Sequence, residues 1–296
     1  MLHLKRLSYL VAIADYRHFG KAAQSCFISQ PTLSMQLRKL EEELGAVLVE
    51  RHTKQVILTA TGQTIANKAR SILQQAQSIQ DYAQHQKDPY STTLHLGLIP
   101  TVGPYLLPHI IPEIRQNLPN LQLFLHEEKT DDGLHLLRSG KLDAMILALP
   151  IPNNDHIDYF HLYSEPFLVA TPLHHSLNAH SPISSDDIVS EELLLLKEGH
   201  CLRDQALEIC QQVSSNHYFE ATSLETLRFM VASGNGITIL PQMATYFNDE
   251  HLKLLPFQAP QPKREIVLAA RTSNHLTQCL TELSRLIQKQ VGKLQY

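Results

Sequence analysis

The chain has 296 residues, 43% hydrophobic and 18% charged, with four cysteines. Such a composition fits a folded chain with a substantial core, and no run of about eighteen apolar residues offers a membrane span. The net charge of −4 is uneven: residues 1–90 hold 11 Lys+Arg against 7 Asp+Glu, a net +4, which leaves −8 on the remainder and suits a nucleic-acid-binding head on an acidic body.

The apolar patch at the N-terminus is interrupted by Ser8, Asp15 and Arg17, so no signal peptide is expected. With few cysteines, a reducing cytoplasm is the expected location. Any disulfide there is expected to be transient and regulatory.

Leu7, Leu10, Val11 and Ala14 recur at helical spacing, and Ala22 and Ala23 mark a second short helix. Ser29 is a candidate N-cap for a third helix, with Pro31 in its first turn. That helix places Leu33, Leu37, Leu40 and Leu44 on one face and Gln30, Thr32, Ser34, Gln36, Arg38 and Lys39 on the other. Short helix, turn and capped helix with a hydrogen-bonding face is the helix-turn-helix pattern. Ser29, Gln30, Pro31, Thr32, Ser34, Gln36, Arg38 and Lys39 are the candidate DNA contacts of this helix. Within Val47–Leu58 two short β-like runs flank a basic turn that reads as a wing, with Arg51 and Lys54 as candidate phosphate or minor-groove contacts. Cys26 is expected to be structural.

The run Phe19-Gly20-Lys21-Ala22-Ala23, then Ser29-Gln30-Pro31-Thr32-Leu33-Ser34, then Leu40-Glu41-Glu42-Glu43-Leu44-Gly45, then Glu50-Arg51 resembles the winged helix-turn-helix of LysR-type transcriptional regulators. The resemblance implies a double-stranded promoter DNA partner and places the DNA-binding domain at residues 1–60.

Thr61 is expected to cap a long helix. Ile65, Ala69, Ile72, Ala76, Ile79 and Ala83 follow at heptad-like spacing, so residues 61–90 are expected to form a dimerisation linker helix and hinge. Asp88-Pro89-Tyr90-Ser91 ends it.

Beyond residue 91, strand-like runs (Leu94–Ile99, Leu121–Leu125, Ala144–Leu149, Phe167–Ala170, Leu193–Leu196, Ile237–Leu240, Ile266–Ala270) alternate with helices at Leu106–Leu118, Asp132–Ser139, Leu224–Ser233 and Leu276–Val291. Alternation implies an α/β fold. By resemblance, residues 91–296 form a two-lobed α/β regulatory domain similar to periplasmic binding proteins, lobe I at about 91–163 and 269–296 and lobe II at about 164–268. No Cys-x-x-Cys, His-Glu-x-x-His, phosphate loop or nucleophile elbow is present, so no metal, no cofactor and no enzyme activity are expected.

Cys201 and Cys210 lie nine residues apart, Cys201 beside His200 and Arg203, Cys210 on apolar ground. Cationic neighbours favour a reactive thiolate. Were the segment helical, the Cα atoms would stand roughly 13 Å apart and the side chains would face opposite ways, too far for a disulfide without unwinding. From spacing alone, two unpaired structural thiols and a redox pair both remain open.

Gly97–Pro108, Glu198–Gln205, Cys210 and Ala221–Arg228 resemble the hydrogen-peroxide-sensing branch of the LysR-type family over nearly the whole chain. That resemblance implies Cys201 as peroxidatic and Cys210 as resolving cysteine. It assigns Thr101, Thr130, His200 and Arg271 to the peroxide pocket, with Arg203 and Asp204 supporting the loop. It also implies a homodimer or homotetramer, RNA polymerase as a partner, and glutaredoxin or thioredoxin as reductant. Two other readings remain: a LysR-type regulator sensing a small metabolite in the inter-lobe cleft, and a thiol peroxidase or dithiol oxidoreductase, which leaves the winged head unexplained. Cys279 belongs to no matching motif.

Overall fold

A computed structural model of the chain describes residues 2–50, 56–84, 90–151, 155–210, 220–245 and 250–294. It divides into two compact units, Met1–Asp88 with Arg138–Lys141, and Pro89–Leu137 with Leu142–Tyr296.

The first unit contains α1 (Leu4–Tyr16), α2 (Phe19–Ser25) and α3 (Gln30–Leu44), a two-stranded antiparallel ladder of β1 (Val49–Glu50) and β2 (Ile57–Leu58), and α4 (Ala60–Gln84). Leu7, Leu10, Ile13, Leu33, Leu37 and Leu40 close one core with Ala22, Ala23, Ala66 and Ala69. The small residues let α2 and α4 each approach α1 closely. Ser29 caps α3 by accepting from the Thr32 amide, Pro31 lies in the first turn, and Gly45 ends the helix at φ 64°. The left-handed conformation at that C-cap favours glycine. Glu41 is buried, and its Oε1 accepts from the amides of Leu48 and Val49 at 2.9 and 3.3 Å. A carboxylate inside the head thus fixes where β1 starts.

Two local expectations change. The cap of α4 is Thr59, whose hydroxyl accepts from the Gly62 amide at 2.9 Å, and not Thr61. Thr59 lies just before the first helical residue, where a side chain reaches the free amides of the first turn. The apolar stripe of α4 also divides. Ala69 is buried in the head, whereas Ile72 and Ile79 are 39% and 71% exposed. The side chain of Ala83 lies outside the described residues.

The second unit is a two-lobed α/β domain built on one seven-stranded sheet, with strand order β10-β6-β11-β5-β3-β4 and β9 added on β6. β3 (Thr93–Leu98) runs parallel to β4 (Gln122–Glu127) and β5 (Ala144–Ala148), with α5 (Gly103–Asn117) and α6 (Thr130–Arg138) as crossovers. β6 (Ile157–Pro172) changes partners along its length. Its first part, to Pro166, pairs with β11 (Lys263–Arg271); the rest pairs with β9 (Thr238–Pro241) and β10 (Leu252–Pro256). The remaining elements are β7 (Leu195–Leu196), α7 (Cys201–Ile209), β8 (Glu220–Ala221), α8 (Leu224–Ala232) and α9 (Thr277–Val291). The expected strand Phe167–Ala170 is the far end of β6. Its first half was not legible because Asp158, Tyr159, His161 and Ser164 break the apolar run.

The Glu41 geometry sets a measurable cost. Glu41→Ala leaves two buried amides unpaired and is expected to destabilise the head by about 2 kcal/mol, read as an earlier unfolding transition of the full-length chain in urea.

Candidate functional site

Cys201 is the first residue of α7 and Cys210 its C-cap. The amide of Cys210 still bonds the Ala206 carbonyl at 3.1 Å, so the helix is intact up to that residue. Nine residues of helix separate the two Cα atoms by roughly 13 Å and point the side chains to opposite sides. All four cysteines are free thiols. Cys210 is buried, and burial pushes its thiol up to about 11. Cys201 is partly exposed at the N-terminal end of α7.

The two cationic neighbours expected from the sequence differ in state and partners. His200 is buried, and burial first, then the Lys129 cation, lowers its pKa. Its imidazole is therefore neutral at pH 7. Arg203 instead donates to the Leu196 carbonyl at 2.9 Å and to Glu220 Oε1 at 3.0 Å. It ties the first turn of α7 to both β7 and β8. Asp204 is exposed in that first turn, where a carboxylate complements the helix dipole. Lys129 binds the preceding loop, donating to the Glu198 carbonyl at 3.1 Å. Gly199 adopts φ +89°, and a β-carbon there would meet the Lys129 side chain at 3.3 Å.

Thr101 follows β3 and Thr130 follows β4, at the carboxyl ends of two adjacent parallel strands. Ligands of open α/β sheets bind at such ends. The Lys129 contacts bring the Glu198–His200 loop to the Thr130 side. Thr130 is buried, and its hydroxyl has no hydrogen-bond partner among the described residues. Thr101 is buried as well, and its hydroxyl oxygen accepts from Arg264 Nη1 at 3.0 Å. That bond uses an acceptor site of Thr101 and leaves its own proton free to donate.

Arg271, expected in the pocket, is elsewhere. It ends β11 and donates to the carbonyls of Leu137 and Leu142, at the far end of α6 from Thr130. The arginine that does reach Thr101 is Arg264, seven residues earlier on the same strand. It also donates to the Thr101 carbonyl at 3.0 Å and pairs with Glu165 at 2.7 Å, both side chains fully buried. Glu165 Oε2 in turn accepts from the Met243 amide at 2.9 Å. Sequence reading missed this pair because a charge inside a strand reads as surface. The one available signal was Arg264 and Glu165 flanking the apolar runs of β11 and β6.

On the head, Ser29, Gln30, Pro31, Arg38 and Lys39 are exposed, and Thr32, Ser34 and Gln36 are half-buried. The Ser29 and Thr32 hydroxyls bond each other at 2.7 Å, and the Gln36 carbonyl accepts from Arg6 Nε at 3.2 Å. These three thus have structural duties besides any contact to DNA. Arg51 and Lys54 lie outside the described residues.

These two halves match two family descriptions. Residues 4–63 match the bacterial regulatory helix-turn-helix protein of the lysR family, and residues 87–292 match the LysR substrate binding domain. The chain belongs to the LysR family. It is 43% identical to the DNA-binding transcriptional dual regulator OxyR of Escherichia coli (strain K12), over 97% of this chain and 95% of that one. Full-length OxyR from Pseudomonas aeruginosa, solved as a variant, superposes with a TM-score of 0.85 at 39% identity, covering 97% and 95% of the two chains. A hydrogen-peroxide-bound OxyR variant from Corynebacterium glutamicum gives 0.68 at 31% identity, covering 98% and 93%.

An open cavity of about 570 Å³ lies along α7, lined by Leu149, Phe167, Gln205, Glu208, Phe257 and Lys263 among others. It shares no lining residue with the Thr101, Thr130 and His200 group.

Breaking the buried pair tests its place in the site. Arg264→Met strands the Glu165 carboxylate and is expected to cost about 3–5 kcal/mol of stability. The double substitution Arg264→Met with Glu165→Leu is expected to recover most of that in thermal unfolding.

Proposed function

We propose that this protein is a peroxide-responsive transcriptional regulator switched by a reversible Cys201–Cys210 disulfide, which turns on oxidative-stress defence genes. One observation carries the reading: a partly exposed thiol opens α7, a buried thiol closes it, and orphaned or free hydroxyl protons lie on the strand ends beside its loop.

The chemistry balances as follows. The Cys201 thiolate attacks one peroxide oxygen, the O–O bond breaks, and hydroxide leaves and is protonated to water. Cys201 is now a sulfenic acid. α7 unwinds and Cys210 loses the burial that suppressed its ionisation. Its thiolate attacks the Cys201 sulfur, a second water leaves, and the S–S bond forms. Two thiols are oxidised by two electrons and one peroxide is reduced to two waters. Thr101 donates its free proton to a peroxide oxygen, with its own oxygen held by Arg264. Thr130 supplies the second hydroxyl. Neutral His200 can accept or donate without adding charge. Arg203 and Asp204 hold the helical form.

The same reading assigns residues 1–60 to promoter DNA, 61–90 to dimerisation through the exposed Ile72 and Ile79, and 91–296 to sensing, with the two dimers joining as a tetramer. RNA polymerase is the partner on DNA, glutaredoxin or thioredoxin resets the disulfide, and the compartment is the cytoplasm. Peroxide is consumed as a signal rather than for flux, so the chain is not an enzyme. The cavity along α7 favours one second reading, a small metabolite that acts through the same helix.

Footprinting on a target promoter with and without peroxide tests the proposal. The wild-type footprint is expected to change on oxidation. Cys201→Ser is expected to bind DNA in the reduced pattern and to stay there. A Cys201→Ser footprint that still shifts with peroxide would return the reading to metabolite sensing.

A further inference from the structure

Phe27 is held in a position that two physical penalties oppose. It follows the Cys26 C-cap of α2 at φ 55°. The Ile28 amide bonds the Ala23 carbonyl at 3.0 Å and the Phe27 amide bonds the Gln24 carbonyl at 3.1 Å. These are the two bonds of a Schellman turn, whose left-handed residue is normally Gly or Asn because a β-carbon is crowded there. The side chain is also 96% exposed, the most of any large apolar side chain noted among the described residues, ahead of Ile79 at 71%. Neither the turn nor the core gains from an aromatic ring here. Ile28 supplies the local apolar anchor, since it packs against the head core while Phe27 points away.

The surroundings indicate what the ring meets. Phe27 stands two residues before Ser29, the N-cap of α3. The N-terminal end of the recognition helix is the part that reaches base edges in the major groove. Residues 16–40 contain no Asp or Glu and carry Arg17, Lys21, Arg38 and Lys39. An exposed aromatic in the middle of such a stretch sits on a surface that suits a polyanion. In the major groove, the apolar feature that a Phe ring can read is the 5-methyl group of thymine.

We infer that Phe27 is a specificity-determining residue that packs on a thymine methyl group at the edge of each half-site. The inference rests on the regulator reading above. It adds an apolar base contact to a helix whose other candidates are polar.

Full-length reduced protein is used to select a bound duplex from a random pool. Each thymine of that duplex is then replaced singly by deoxyuridine, which removes only the methyl. Wild type is expected to lose about fourfold in affinity at one thymine per half-site, the worth of one buried methyl. Phe27→Ala and Phe27→Asn are expected to bind the thymine duplex weaker by at least that factor and to show no further loss at that position. They should keep wild-type sensitivity at all other positions. Phe27→Asn should unfold no earlier than wild type, because Asn tolerates the left-handed turn, so the loss cannot be misfolding. Variants that bind as tightly as wild type, or that remain sensitive to the same methyl, overturn the Phe27 contact and leave the regulator reading standing. Failure of wild-type protein to select any duplex overturns both.

Discussion

A short helix holds two thiols apart. α7 has nine residues, Cys201 opens it and Cys210 caps it, and a helix of that length keeps their Cα atoms about twice the disulfide range apart. Under the proposed reading, this separation makes the oxidation a structural event: the bond and the helix exclude one another. The helix is also stabilised by its burial of Leu202, Ala206 and Cys210. Exposing one fully buried Leu costs about 1.5–3 kcal/mol, and a two-electron couple shifts by about 30 mV per 1.4 kcal/mol. Energy spent on unwinding therefore makes the disulfide easier to reduce, which suits a signal that must be erased.

Around that helix the charged and polar side chains have fixed partners. Arg203 is committed to Glu220 and the Leu196 carbonyl, and His200 is neutral. The fully buried Arg264–Glu165 pair spans β11 and β6 and aims the guanidinium at Thr101. Buried pairs of this kind contribute little net stability. Their value here is orientation, since the same arginine fixes both the hydroxyl and the carbonyl of Thr101. A mutation at Glu165 thus acts on the orientation of Thr101 through Arg264, without touching Thr101.

Much of this was legible in the chain, and for identifiable reasons. Ser29, Pro31 and the leucines at 33, 37 and 40 obey helical capping and spacing rules that tertiary contacts did not override. Whether 201–209 is helical stayed open in the sequence, and the structure makes it α7. What failed depended on contacts distant in sequence. Thr59 caps α4 with its own amide held by the Leu48 carbonyl at 3.0 Å, a contact eleven residues away that the local pattern around Thr61 does not show. Arg271 and Arg264 both lie on β11, and no local rule says which one turns toward Thr101. Burial lowers the His200 pKa and Glu220 pairs with Arg203, and neither effect can be read from the residues next to Cys201. Phe27 lies in the turn between α2 and α3, and its exposure became meaningful only with the backbone angle beside it.

The most direct measurement of the central claim is peptide mapping under non-reducing conditions after one equivalent of hydrogen peroxide is added to reduced full-length protein. The account predicts a Cys201–Cys210 peptide pair with Cys26 and Cys279 still free. Four free thiols, or a random mixture of pairings, would contradict it.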